Sequence, residues 1–297
     1  MPRPAPPPPR LDWLMIDGSS LIFRAFFGVP QTVKGPSGIP VNAIRGFLDY
    51  LARFITERKP RRLVVATDED WRPQFRVDVL ETYKSHRTAE PIPPDLIPQM
   101  DPIMEVLAAV GIPALGAKGF EAEDVIATLV KKVGWGPTIE ILSGDRDLFA
   151  LVRDPNVVVL YPERRGEFSI IDEAEITKRY DIPGRLYGDF AILRGDPSDG
   201  LPGLPGVGAK KAAAMLQRHG SIEGVLWDGN ITKEDAIYLK KAISVVAPVE
   251  TIPLQLPDAA VPREPAHPAN LARLKKDYGL GGAVDRLLKA MESQPAD

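Results

Sequence analysis

Acidic residues stand where the apolar runs of this 297-residue chain stop. Asp17 closes "LDWLMID", Asp68 follows "RLVVAT", and Asp145 and Asp147 follow "TIEILSG". "GFEAEDVIATLV" sets Glu121, Glu123 and Asp124 almost side by side ahead of an apolar helical pattern, and "RGDPSDGLPG" adds Asp196 and Asp199. Each has an ordinary explanation. Acids in a first helical turn are favoured at roughly 0.3–1 kcal/mol each. Asp145 can be a cap, Asp196 and Asp199 turn formers, and Asp68 with Glu69 and Asp70 a solvated loop. Together they point to a common rim. Two unit charges ~4 Å apart repel by about 4 kcal/mol at an effective dielectric near 20, so converging carboxylates call for divalent cations. The chain has no cysteine, and His86, His219 and His267 are in no ligand spacing, so oxygen must hold any metal. That selects Mg²⁺ or Mn²⁺ and the chemistry of phosphodiester hydrolysis, with one ion activating water and another stabilising the leaving oxygen.

The elements that must bring these acids together read as alternating β and α. "LDWLMID", "RLVVA" and "TIEIL" are short buried strands, and "AIRGFLDYLARFI" and "IPQMDPIMEVLAAVG" are helices between them. That order implies an α/β fold with a mostly parallel sheet, whose ligands bind beyond the carboxyl ends of the strands. From about Asp172 the pattern becomes short helices broken by Gly and Pro: "DEAEITKRY", "GRLYGDFAILRG", "GAKKAAAMLQRHG" and "KEDAIYLKKAISVV". Residues 252–269 are Pro-rich and read as irregular, and "NLARLKKDYGLGGAVDRLLKAM" reads as one last helix. The start, "MPRPAPPPPR", is an extended Pro-rich tail without the apolar stretch of a signal peptide, and no run reaches the ~20 residues of a membrane span. A soluble cytoplasmic protein is expected.

The net charge of −3 argues mildly against a polyanion as partner, although site acids depress the total while basic residues elsewhere still form a patch. Arg24 follows Asp17 by one to two helical turns, and "FRVDVLETYKSHR" places Arg76, Tyr83, Lys84 and Arg87 after the Asp68 loop. Such cations can hold phosphates near a metal centre, and Tyr83 can stack on a base of a single strand. In "GLPGLPGVGAKKAAAML", Gly203, Gly206 and Gly208 permit a hairpin with outward N–H groups, and Lys210 and Lys211 open the next helix. That arrangement meets a phosphodiester backbone without reading bases.

In order and spacing, "IDGSSLIFR", "FRVDVLETYKSHR", "GFEAEDVIATL", "LSGDRDL" and "RGDPSDGLPGLPGVGAKKA" resemble the bacterial 5′ nucleases. These comprise the 5′→3′ exonuclease domain of DNA polymerase I and its stand-alone flap endonuclease relatives. The resemblance spans roughly residues 11–290. It implies a PIN-like nuclease core over 11–175 with a helical arch at about 81–98, and a helical subdomain over 176–297 whose glycine hairpin, 200–208, is a helix-hairpin-helix-type DNA clamp. By position, Asp17, Asp68, Glu121, Glu123, Asp124, Asp145, Asp147, Asp196 and Asp199 match the family's metal-binding acids. Arg24, Arg76 and Lys84 match its phosphate-contacting cations, with Arg87 beside them. The resemblance also implies two or more Mg²⁺ or Mn²⁺ ions, K⁺ in the hairpin, and a monomer acting on DNA with a 5′ flap, nick or overhang and on RNA–DNA hybrids in replication and repair. Three departures stand out. Glu123 occupies a place where many members have Asp, Ser19 and Ser20 stand where His or Asn is common, and Gly200 replaces a frequent Asn. Two other functions compete: a junction-binding protein of the same fold without catalysis, which the intact acidic set disfavours, and a PIN-type ribonuclease, which the glycine hairpin disfavours.

Overall fold

The computed structural model describes residues 10–89 and 92–295, so residues 1–9 of the Pro-rich start and residues 90–91 of the expected arch lie outside the described residues. The first strand, β1 (Trp13–Asp17), is buried along its length. Leu14 and Ile16 face one layer of helices and Trp13 and Met15 the other, the two-sided apolar pattern of a covered parallel strand. The others are β2 (Arg62–Ala66), β3 (Ala114–Leu115), β4 (Ile139–Leu142), β5 (Val157–Pro162) and β6 (Phe168–Ile171). They form one sheet in the order β3-β2-β1-β4-β5-β6, parallel except for β6, which pairs antiparallel to β5. From β1 the chain winds outward to β2 and β3, then returns to β4 and winds the other way. The crevice at the carboxyl ends of β1 and β4 is therefore the topological switch point, where such sheets bind ligands.

The helices of the first half are α1 (Gly18–Gly28), α2 (Asn42–Arg58), α3 (Gln74–Val79), α4 (His86–Ala89), α5 (Ile97–Val110) and α6 (Ala122–Val133). Those of the second half are α7 (Glu173–Tyr180), α8 (Tyr187–Arg194), α9 (Ala209–His219), α10 (Ile222–Asp228), α11 (Lys233–Val246), α12 (Pro268–Asp277) and α13 (Gly281–Glu292). The sheet face carrying Met15, Val64, Ile141 and Val159 packs on α6 and on α8 to α11. The opposite face is covered by α1, α2 and α5, with α13 packed on α2 and α12 on α5 in the same apolar cluster.

Two sequence expectations are corrected here. The boundary at 175 falls inside α7, and the second half is not one helical body: α8 to α11 share a core with the sheet, while α12 and α13 return to the other face. The single last helix is two, because Gly279 adopts φ +64°, a left-handed conformation that ends α12. Residues 252–267 contain no helix, but Leu63 N–H donates to the Ala259 carbonyl and Val261 N–H to Arg61, so this stretch pairs beside β2.

Candidate metal centre and nucleic-acid interface

At the switch point, carboxylate oxygens of Glu123, Asp145 and Asp147 lie within 4.8 Å of one another. Local structure builds this cluster from three directions. Glu123 is in the first turn of α6, held by a reciprocal capping box between Glu121 and Asp124 and by Asp68, whose Oδ1 accepts from the Ala122 N–H at 2.7 Å. Asp145 and Asp147 follow β4 in a tight turn in which the Asp147 N–H donates to Asp145 Oδ1 (2.9 Å) and the Asp145 N–H to Ser143 Oγ (2.9 Å). Ser143 is buried and its hydroxyl donates to Asp17 Oδ2 at 2.6 Å, which ties the end of β1 to the turn after β4. Asp17 also caps α1, accepting from the Ser20 N–H at 2.9 Å. A cleft of about 480 Å³ opens over these groups, bounded by Asp17, Ser20, Phe23, Arg87, Arg146 and Asp199.

The cluster is held against its own repulsion. Burial, then Asp199, Asp145 and Glu123, push the Asp147 carboxyl well above its ordinary range. Burial raises Glu123 in the same way, with Lys84 opposing and Glu121 and Asp145 reinforcing. Asp17 is pushed up to about 7 by burial and by Asp68, against the hydrogen bonds from Ser143 and Ser20. An all-carboxylate donor set drawn together at this cost fits a hard divalent cation. A stability consequence follows from the sign of these shifts. Between the ordinary carboxylate value near 4 and about 7, the native chain binds more protons at Asp17 than the unfolded chain, so stability falls as pH rises through that window. Glu121 acts oppositely, but only between its lowered value and the ordinary carboxylate value of about 4.5, below the window set by Asp17. Thermal melts in chelator should show a midpoint that drops from pH 5 to pH 8, with added Mg²⁺ recovering more at pH 8. Equal recovery at both values would contradict this account.

The remaining expected ligands are placed differently. Asp124 is fully buried and forms a two-point pair with Arg76 (2.6 and 3.0 Å), while its Oδ1 accepts from the Val249 N–H at 2.8 Å. Glu121 accepts from Arg76 (2.7 Å), the Tyr83 hydroxyl (2.6 Å), Lys84 (2.7 Å) and Arg87 (3.1 Å). Burial alone would raise Glu121, but Lys84 and Arg76 outweigh it and hold the group ionised. These two acids anchor cations and are not members of the Glu123–Asp145–Asp147 cluster. Asp196 accepts from Arg194 (3.0 Å), Arg146 (3.2 Å) and Ser198, so its turn-forming role is realised. Asp199 is buried beside Asp147, with Lys84 Nζ 3.6 Å away.

The residues expected to contact phosphate are placed as follows. Arg76 is fully buried, and its third anchor is the Val245 carbonyl of α11 at 2.9 Å. Lys84 is 2% exposed and faces Glu121, Glu123 and Asp199. Tyr83 is equally buried, its ring beneath the charges of Arg76 and Lys84, so it presents no face to a base. Arg24 donates to the Glu163 carbonyl at 2.8 Å and lines a neighbouring cleft with Phe23, Phe27 and Tyr161. Of the four expected cations in this region, Arg87 alone lines the cleft over the carboxylates. Sequence reasoning missed Ser143, Trp71 and Arg146. Trp71 stacks on Phe23 with ring centres 6.0 Å apart and carries the Arg87 guanidinium over its face. The one available signal was "SGDRD", in which a hydroxyl and a cation interleave with the acids.

The glycine hairpin lies between α8 and α9. Gly203 and Gly206 are left-handed (φ +73° and +70°), whereas Gly208 is extended at the start of α9. Lys210 and Lys211 are exposed, and Lys211 Nζ donates to the Gly206 carbonyl at 2.9 Å. Gly200, at its start, touches residues 82–84: φ is +70°, a Cβ would lie 1.8 Å from the Thr82 carbonyl oxygen, and the Lys84 N–H donates to the Asp199 carbonyl at 3.0 Å. The departure from Asn is thus explained by a backbone that passes over this position. Gly200→Ala should destabilise by at least about 1–3 kcal/mol, the usual cost of such strain. Urea denaturation measures it, and an unchanged midpoint would show that the two turns separate freely.

Comparison with known proteins matches this frame. A family model described as the 5′-3′ exonuclease N-terminal resolvase-like domain covers residues 12–181, and one described as the 5′-3′ exonuclease C-terminal SAM fold covers 182–247. A 5′-3′ exonuclease of Mycobacterium tuberculosis (strain ATCC 25618 / H37Rv) is 42% identical over 313 residues, covering 95% of this chain and 98% of its own. One from Streptomyces coelicolor (strain ATCC BAA-471 / A3(2) / M145) is 41% identical, covering 94% and 99%. The fold is shared with the bacteriophage T5 D15 flap endonuclease, solved as a pseudo-enzyme-product complex with DNA and metal ions (TM-score 0.63, 18% identity, 95% of this chain and 100% of that one).

Proposed function

This chain belongs to the 5′-3′ exonuclease family, and we propose that it is a divalent-metal-dependent nuclease that hydrolyses phosphodiesters where a 5′ single strand meets duplex DNA. The observation that carries the reading is the Glu123–Asp145–Asp147 cluster at the switch-point crevice, with Asp17 and Asp199 at its margins. Mg²⁺ or Mn²⁺ bound there would supply Lewis acidity toward the phosphate and acidify water. The chain's own part is to hold and orient. Ser143 fixes Asp17, Lys84 and Arg76 hold the acid wall by ion pairs, and Phe23, backed by Trp71, lines the cleft.

In this reading the hairpin between α8 and α9 grips one strand of the duplex through N–H groups, Lys210 and Lys211. The Lys211 ammonium on the Gly206 carbonyl marks the kind of oxygen a K⁺ ion would use. The segment 81–98 guides the free 5′ end. Because backbone contacts dominate, RNA in RNA–DNA hybrids is a second substrate, and a monomer acting in the cytoplasm suffices. No helix among the described residues is long and apolar enough to cross a membrane. The test is cleavage of a 5′-labelled flap oligonucleotide duplex. Products ending near the junction with Mg²⁺ or Mn²⁺, and none in chelator, are expected. Tight junction binding without cleavage in any divalent metal would favour a purely DNA-binding role.

A further inference from the structure

The cations expected to meet the substrate phosphate are committed elsewhere. Arg76 and Lys84 are buried against Glu121, Glu123 and Asp124, and Arg87 donates to Glu121 and to the Trp71 carbonyl. Arg146 is different. It sits between Asp145 and Asp147 in the chain, lines the cleft directly over the cluster, and keeps 36% of its side chain exposed. Its one side-chain hydrogen bond among the described residues runs from Nη2 to Asp196 Oδ2 at 3.2 Å, so most of its five donors are available. Asp196 does not depend on it: Arg194 donates to the same oxygen at 3.0 Å, and Ser198 caps the other. The phenols of Tyr187 and Tyr161, whose charge would bear on Arg146, add no competing anion. Burial drives the Tyr187 and Tyr161 hydroxyls upward, so they stay neutral.

We infer that Arg146 is a catalytic residue that binds the non-bridging oxygens of the scissile phosphate beside the Glu123–Asp145–Asp147 cluster, exchanging its contact with Asp196 for the substrate. The inference rests on the nuclease reading of the site. A guanidinium fork offers two parallel N–H donors to a phosphate, which an ammonium cannot reproduce. Asp196, left with Arg194, remains neutralised during the exchange.

The test is single-turnover cleavage of a 5′-flap duplex with Mg²⁺ across a flap concentration series. Arg146→Gln should lower the maximal rate by about 10²–10³-fold, the usual effect of removing one charge-stabilising donor, with the half-saturating flap concentration shifted less than about threefold. Arg146→Lys, which keeps the charge and loses the fork, should fall between Gln and wild type. Arg194→Gln removes the other arginine from Asp196 without touching the cleft, and because Asp196 then lacks a cation when Arg146 moves it should lose some rate, but no more than about tenfold and clearly less than Arg146→Gln. Should Arg146→Gln fail to fold, Arg146→Lys decides alone, an intermediate rate supporting the assignment and a wild-type rate overturning it. Full-rate cleavage by Arg146→Gln, or an equal loss in Arg194→Gln that would trace the effect to the Asp196 turn, overturns the assignment while leaving the nuclease reading standing. A wild type that binds the flap and does not cut it overturns both.

Discussion

Asp147→Asn should reduce flap cleavage by on the order of 10³-fold or more while raising the thermal stability of the metal-free protein at pH 8. The two effects have one source. Asp147 is buried among Asp199, Asp145 and Glu123, which push its carboxyl well above the ordinary range, so its ionised form is disfavoured in the fold. Asparagine keeps the shape and removes the charge, relieving that repulsion. It also removes an anionic oxygen from the cluster at which a divalent ion would contribute several kcal/mol of transition-state stabilisation, and each 1.36 kcal/mol is tenfold in rate. Paired measurements of single-turnover rate and melting midpoint check both halves. A variant that cleaves like wild type would remove Asp147 from the site, and one that loses activity and stability together would make its role architectural.

Arg76→Met should destabilise the protein by about 3–5 kcal/mol, because it leaves buried carboxylates without their cation. Arg76 is the common partner of Glu121, Glu123 and Asp124, and it also holds the Val245 carbonyl of α11. Asp124 accepts from the Val249 N–H, so loss of the guanidinium loosens both the acid wall and the seam between α6 and the end of α11. Chemical denaturation of the metal-free protein should show the full loss at pH 8 and a smaller one at pH 5, where Glu123, already raised, takes up a proton more readily. A loss independent of pH would assign the effect to packing and the Val245 contact.

These pairings show what was legible in the sequence. Apolar runs ending in Asp17, Asp68 and Asp145 revealed the strands and the rim, since alternation and strand-end acids are local signals. β5, "VVVLYP", and β6 went unread although Glu163 and Asp172 follow them, because β5 runs into Pro162 and β6 is a four-residue, mostly half-exposed strand rather than an apolar run. Among the acids, Glu123, Asp145 and Asp147 converge, and the extra methylene of Glu123 does not keep it from the cluster. Glu121 and Asp124 carry the same residue type two positions from Glu123 at most, yet serve as anchors. Which side of one helical turn faces a cation is set by Arg76, 45 residues away from Glu121, and that is a tertiary fact. The placement of Tyr83 and Lys84 was hidden for the same reason: composition marks them as substrate-facing, and only the tertiary structure shows them buried against the acid wall.

The return of α12 and α13 to the first face has a consequence for how the chain is made. Arg45 donates to the Gly279 carbonyl at 2.6 Å and Gln294 to the Ile55 carbonyl at 3.0 Å, contacts spanning 234 and 239 positions. Leu287, Ala290 and Met291 complete the same apolar cluster as Phe47, Leu48 and Leu51. On a ribosome, that surface of α2 is finished only after nearly all of the sequence has emerged. Long-range closure of this kind slows folding and leaves apolar surface open while it waits. The first half is therefore completed by helices synthesised more than 230 positions later, and a chain cut before residue 268 would present an unfinished core.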